Sequence, residues 1–153
     1  MNKPALVDMV RQSALALGVD PAVACAVVEQ ESRWDCFAIR YEPRFYDEYV
    51  APHIEEWHLT DTEARLRAFS FGLFQDMGQV ARENGFTEPL VYMLHPSYGI
   101  PVGVAVLKKK LDAHPENLHD GLQSYNGGAA PDYAAQVMER MAKYQQSAGA
   151  SQT

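Results

Sequence analysis

The residue best placed to do chemistry in this sequence is Glu31. It stands near the end of the run Pro21 to Ser32, whose side chains are mostly apolar. At 100° per residue, Glu31 falls within about 60° of Ala24, Val27 and Val28 on a helical wheel, whereas Glu29 points nearly the opposite way and reads as an ordinary solvated acid. A carboxylate on an apolar stripe is costly when charged, so its proton affinity should rise and the group should stay protonated near neutrality. That suits a general acid holding a proton for a leaving oxygen, as glycosidic cleavage requires. The plainer alternative is a glutamate neutralised by Arg33 or Arg40.

Other chemistries find little support. The histidines His53, His58, His95, His114 and His119 include two pairs five residues apart, a spacing that does not place both rings on one helix face, so no metal site is expected. There is no Gly-rich phosphate loop and no Gly-x-Ser-x-Gly, and no cofactor is expected. Cys25 falls early in the predicted helix and Cys36 just beyond its end. They are too far apart along the axis for a disulfide and read as thiols, Cys25 packing as a small hydrophobe.

The elements that must position Glu31 are helical. Leu6, Met9, Val10, Ala14 and Leu17 recur at helical spacing and Gly18 closes that helix; Asp20-Pro21 opens the next, which runs to about Arg33. Residues 35–70 are the least regular, with a short helix around Phe45 to Val50 and another from Asp61 to Phe69, capped by Thr60 or Asp61. Gly72 to Met77 reads as an apolar turn, Gln79 to Asn84 as a helix ended by Gly85, and Pro89 to Leu94 as a further helical turn or two. A long helix follows from Gly99, another spans Asn117 to Tyr125, and Tyr133, Val137, Met141 and Tyr144 mark the last. The fold class is all-α or nearly so: one domain over residues 1–146 and a flexible polar tail over 147–153.

The chain has 153 residues and a net charge of -7, with a pI near 5.1. This speaks against nucleic-acid binding, which rests on clustered Lys and Arg; Lys108-Lys109-Lys110 reads as a solvated helix end. No apolar run reaches membrane-spanning length, and Met1 to Leu17 is amphipathic and unlike a secretory signal, so an extracytoplasmic target would call for another route of delivery or for a chain already trimmed. A monomer is expected.

Three further segments follow Glu31-Ser32 in order: Gly72-Leu73-Phe74-Gln75 followed by Met77, Gly99-Ile100 opening a helix, and Ser124-Tyr125-Asn126 followed by glycine. The ordered set resembles the Glu-Ser, Gly-Leu-Met-Gln and Ala-Tyr-Asn motifs of the soluble lytic transglycosylases, over about Val23 to Met141. Ile39-Arg40-Tyr41-Glu42-Pro43, with Phe45-Tyr46, is similar to the transglycosylase domains of phages and prophages. The resemblance implies a lysozyme-like helical domain with a substrate groove, acting on the glycan strands of peptidoglycan.

By that match Glu31 would protonate the glycosidic oxygen between MurNAc and GlcNAc, then take the proton of the C6 hydroxyl as it closes a 1,6-anhydro ring. One protein carboxylate then suffices, where glycosidases usually employ two. Gln75 would line the groove, Tyr125 would lie near the acid, and Asn126 would accompany it. Leu73 and Phe74 read as core; Tyr125 could be a half-buried core tyrosine, and Asn126 only a helix stop. Two departures stand out. Glu31 and Gln75 lie 44 positions apart, wider than in the soluble transglycosylases, and Arg40 and Tyr41 occupy the region where that family carries a serine near its acid, which Ser70, not aligned by the motif, could replace. The inserted segment brings Glu42, Asp47 and Glu48 as possible second carboxylates. Glu42, flanked by Tyr41 and Pro43, would shape the groove or pair with Arg40 or Arg44. Binding to an anionic wall by an acidic chain would rest on neutral sugar contacts and on Arg40 and Arg44. A goose-type-like lysozyme hydrolysing the same bond, and a non-catalytic glycan-binding or assembly module, remain the alternative readings.

Overall fold

The computed structural model describes residues 1–146; the expected polar tail, 147–153, lies outside them. Helix α1 (Lys3–Ala16) starts at Asn2, whose side chain accepts from the Ala5 amide at 3.1 Å. Helix α2 (Pro21–Ser32) is capped by Asp20, whose carboxylate accepts from the Ala22 amide at 2.8 Å, with Pro21 in the first turn. Every residue from Ala22 to Val28 is buried, so α2 is apolar on all sides and forms the axis of the domain. It packs between α1 and α8 (Tyr133–Gln146), while α6 (Pro96–Asp112) packs against α1 and α7 (Leu118–Tyr125). The main core gathers Leu6, Val10, Val27, Val28, Ile100, Leu107, Leu122 and Val137.

The region between α2 and α6 is a smaller lobe. It contains α3 (Pro43–Phe45), continued by a π turn over Tyr46–Val50 and a 3-10 turn over Ala51–His53, then α4 (Asp61–Arg67), α5 (Gly78–Glu83) and a 3-10 turn over Leu90–Leu94. A three-stranded antiparallel sheet of β1 (Ile39–Tyr41), β2 (Phe69–Phe71) and β3 (Asp76–Met77) joins it to the main lobe. Its register pairs Ile39 with Phe71 and Phe71 with Asp76, and Arg40 with Ser70 and Ser70 with Met77. This sheet departs from the sequence expectation: the helix begun at Thr60 ends at Arg67, and Phe69 lies in a strand. Strands of two or three residues are too short to show alternation, which explains why the pattern did not reveal them. The domain is otherwise all-α and lysozyme-like, as expected.

Two glycines seat the loop between β2 and β3. Gly72 has φ +62°, and a Cβ there would come within 2.8 Å of the Met93 carbonyl. Gly103 of α6 leaves room for the Phe74 ring, one carbon of which would stand 2.3 Å from an added Cβ. Leu73 and Phe74 are accordingly core residues, and they anchor the loop to α6.

Candidate active site

Glu31 occupies the last turn of α2, where the chain turns sharply through two left-handed residues, Arg33 (φ 53°) and Trp34 (φ 71°). Left-handed backbone at non-glycine residues is held only where the surroundings fix it. Here the Trp34 indole N–H donates to the Tyr144 hydroxyl (2.9 Å), which in turn donates to Glu29 (2.6 Å), while Lys143 pairs with Glu29 at 3.0 Å. Glu29 is therefore a corrected expectation. It is a strap between α2 and α8 whose carboxyl is held below its ordinary range: the Tyr144 and Lys143 bonds outweigh the opposing effect of burial.

Glu31 itself is half-buried, and the Tyr133 hydroxyl at the start of α8 donates to it at 2.5 Å. Burial raises its proton affinity, opposed by the Tyr133 bond and by the charge of Arg40. Among the described residues neither Arg33 nor Arg40 forms an ion pair with it. Its only link to either arginine among those residues is the charge of Arg40, felt without an ion pair.

Beside Glu31 stands a second acid. Asp76, at the start of β3, is 5 % exposed, and its carboxylate accepts from the Tyr125 hydroxyl at 3.2 Å. The same hydroxyl lies 2.8 Å from the Phe74 carbonyl. The other Asp76 oxygen is buried without a hydrogen-bond partner. Burial, together with the charge of Glu31, pushes the Asp76 carboxyl up to about 7 against the lowering effect of Tyr125. The rings of Tyr125 and Tyr133 stack with centroids 6.5 Å apart, and burial raises both phenols, with Glu31 and Asp76 adding to the shift. Four side chains from four segments so form one partly buried group of two acids, each bonded to a tyrosine.

The remaining sequence candidates are placed around this group or away from it. Gln75 adjoins Asp76 with φ 51°, and its amide is spent on the loop: it donates to the carbonyls of Ala38 (3.1 Å) and Gly72 (2.8 Å) and accepts from Ser70 (3.0 Å). Ser70 is 2 % exposed and braces Gln75. Asn126 ends α7 and accepts from the Ala130 amide at 2.8 Å, a helix-stop role. Arg40 is exposed and pairs with Glu42 at 2.5 Å, so the two form a surface ion pair on the rim of the sheet. Tyr41 packs against Phe69 and Tyr46 in the smaller lobe, its hydroxyl 3.4 Å from Arg65. Arg44 pairs with Glu48. Among the described residues no group of three or more His, Cys, Asp or Glu could hold a metal ion, and no helix is long and apolar enough to cross a membrane. Both cysteines are free and buried, and burial raises the Cys25 thiol to about 11.

The sequence matches the family model described as Transglycosylase SLT domain over residues 8–147. The chain belongs to this family. It is a glycan-cleaving lytic transglycosylase domain of lysozyme-like type, acting on peptidoglycan. No significant match to a curated protein or to a solved structure exists beside it. Two residues of the transglycosylase's buried group, Asp76 and Tyr133, were missed by sequence reasoning. The signal for Asp76 was an acid directly after Gln75 in an otherwise apolar turn. Tyr133 carried none, being one of the periodic apolar positions of α8.

An open depression of about 740 Å³ on the smaller lobe is lined by residues including Trp57, Arg67 and Arg82, none of them in the Glu31 group. The Trp57 ring is already stacked on His53 and covered by the Arg67 guanidinium, and Arg67 and Arg82 both pair with Glu63. Its chemistry is satisfied from within.

Proposed function

We propose that this transglycosylase cuts the β-1,4 bond between MurNAc and GlcNAc and leaves 1,6-anhydro-MurNAc ends, with Glu31 as both acid and base. The observation that carries the reading is Glu31 itself: a half-buried carboxyl at a helix end, free of ion pairs among the described residues and oriented by one short bond from Tyr133. Burial favours the protonated form, which can be given to the glycosidic oxygen as the bond to it breaks. The resulting carboxylate is stabilised by the Tyr133 hydroxyl and by the nearby charge of Arg40, and it then accepts the proton of the substrate's C6 hydroxyl as that oxygen closes on C1. The proton lost in the first step is recovered in the second, and no water is consumed. Gln75 and Ser70 keep the β2–β3 loop in shape, Tyr125 reaches the group from α7, and Arg40 of β1 acts on Glu31 by its charge.

A hydrolytic outcome, as in a goose-type-like lysozyme, is the second reading, and Asp76 is the observation that favours it, since hydrolysis of this bond commonly uses a second carboxyl. Asp76 is 5 % exposed and engaged by Tyr125, an arrangement better suited to holding its neighbours than to activating solvent. Mass spectrometry of digested peptidoglycan separates the two. Anhydro-muropeptides are expected from the wild type, and Glu31→Gln should keep the fold and lose the activity. Reducing ends would establish the hydrolase, and near-normal turnover by Glu31→Gln would remove Glu31 from the mechanism. Products of neither kind would leave a glycan-binding or assembly module. We take it to act as a monomer on glycan strands; its net negative charge argues against nucleic acid as a partner. The β1 segment's likeness to phage and prophage domains suggests that setting.

A further inference from the structure

We propose that Asp76 stands in the folded protein as a neutral carboxylic acid, which donates its proton to the Tyr125 hydroxyl oxygen and so aims that hydroxyl at the Phe74 carbonyl. Asp76 is then a positioning residue that acts on the site through Tyr125. The inference deepens the reading of the Glu31 group as the active site and rests on it in one arm of its test. The Tyr125 hydroxyl lies 2.8 Å from the Phe74 carbonyl oxygen and 3.2 Å from one Asp76 oxygen. It has a single hydrogen, so it can serve only one of these two neighbours well. A carbonyl oxygen cannot donate, whereas a carboxyl can when it carries a proton. With the Asp76 hydrogen on the phenol oxygen and the Tyr125 hydrogen on the Phe74 carbonyl, both contacts become full hydrogen bonds. The 3.2 Å contact is an acceptance for the ionised acid and runs the other way in the neutral one.

The surroundings of Asp76 favour the same state. The residue is 5 % exposed, its other oxygen is buried without a hydrogen-bond partner, and among the described residues it forms no ion pair. An ionised carboxylate only accepts, at about four lone-pair sites, and burying one without donors or a cation is costly. Here it would have at most a share of one hydroxyl hydrogen. The titratable groups that act on it are Glu31 from α2, Tyr125 from α7 and Tyr133 from α8, none of them a cation. Burial accordingly pushes the carboxyl up to about 7. The neutral acid leaves one uncharged oxygen unpaired, which costs less than an unpaired charge. Phe74 is a core residue seated against Gly103 of α6, so its bond from Tyr125 ties the end of α7 to the β2–β3 loop. The Tyr125 ring in turn stacks on Tyr133, which orients Glu31. Loss of the Asp76 proton would draw the hydroxyl hydrogen away from Phe74 and loosen that tie.

Two measurements on the full chain test the inference. The first is carboxyl-carbon NMR of protein isotope-labelled at its aspartate side chains, recorded at about pH 5.5, where exposed aspartates are ionised. One aspartate should show the signal of a neutral carboxyl, absent from Asp76→Asn and still present in Glu31→Gln. A spectrum in which every aspartate is ionised overturns the proposal, and so does a neutral signal that survives in Asp76→Asn. If that variant fails to fold, the wild-type spectrum decides alone. The second is kcat on peptidoglycan at the same pH. Asp76→Leu, which cannot donate, should lower it about tenfold, and Asp76→Asn, whose amide N–H can make the same donation, should recover most of that loss. Because Asp76 acts through the hydroxyl, Asp76→Leu should cost almost nothing further in a Tyr125→Phe background. A full loss in that background, or wild-type turnover in Asp76→Leu, overturns the positioning role. Retained turnover in Glu31→Gln would refute the acid itself, and the NMR signal would still report separately on the Asp76 proton.

Discussion

Asp76→Asn should make the protein more stable at neutral and alkaline pH while leaving its stability in acid nearly unchanged. Asp76 is 5 % exposed, and burial first, then the charge of Glu31, lifts its carboxyl from 3.8 to about 7. A folded state that binds the proton more tightly than the unfolded chain loses stability as pH rises between the two values, because ionisation then favours unfolding. Below pH 4 or so, the acid is protonated in both states and contributes no difference. Above pH 7 or so the full cost is present, and a shift from 3.8 to about 7 corresponds to at most about 4 kcal/mol at 1.36 kcal/mol per unit. The amide cannot ionise and keeps an acceptor for Tyr125, so the variant escapes this cost. At roughly 2–4 °C per kcal/mol for a chain of this size, its Tm advantage should grow to about 10 °C between pH 4 and pH 8. Thermal unfolding followed by circular dichroism at several pH values is sufficient. The advantage should shrink in a Glu31→Gln background, where the like charge is gone. A gap that stays constant across pH, or that favours the wild type more as pH rises, would refute the reasoning.

Three other substitutions have defined outcomes. Tyr133→Phe removes the 2.5 Å hydroxyl bond that favours ionised Glu31, so the alkaline limb of kcat/KM should move upward by about one pH unit while kcat falls; an unmoved limb would deny Tyr133 its effect on the acid. Glu42→Gln breaks an ion pair with Arg40 whose side chains are 73 % and 33 % exposed, so stability by urea titration should change by no more than about 1 kcal/mol and anhydro products should persist. Reducing ends from the wild type that vanish in this variant would instead make Glu42 a base. Gly103→Ala places a carbon 2.3 Å from the Phe74 ring, so despite alanine's better helix propensity it should destabilise the domain by about 1–3 kcal/mol and lower activity by shifting the β2–β3 loop; wild-type stability would show that the loop yields freely.

Much of this protein was legible in the amino-acid order because the relevant physics is local. Asp20-Pro21 starts α2, and the apolar run behind it forces that helix into the core, so an acid at Glu31 had to sit at the edge of buried surface with a raised proton affinity. The ordered motifs at Gly72 to Gln75 and Ser124 to Asn126 placed the loop and the helix end that stand near it. Only the tertiary structure decided what those residues touch. Glu29, which the wheel turned to solvent, is claimed by Tyr144 and Lys143 of α8. Gln75 turns its amide into its own loop, and the acid beside Glu31 is Asp76, not Glu42. These outcomes depend on how β3, α7 and α8 converge on the end of α2. Such contacts join residues up to 115 positions apart, and no periodicity within one element records them.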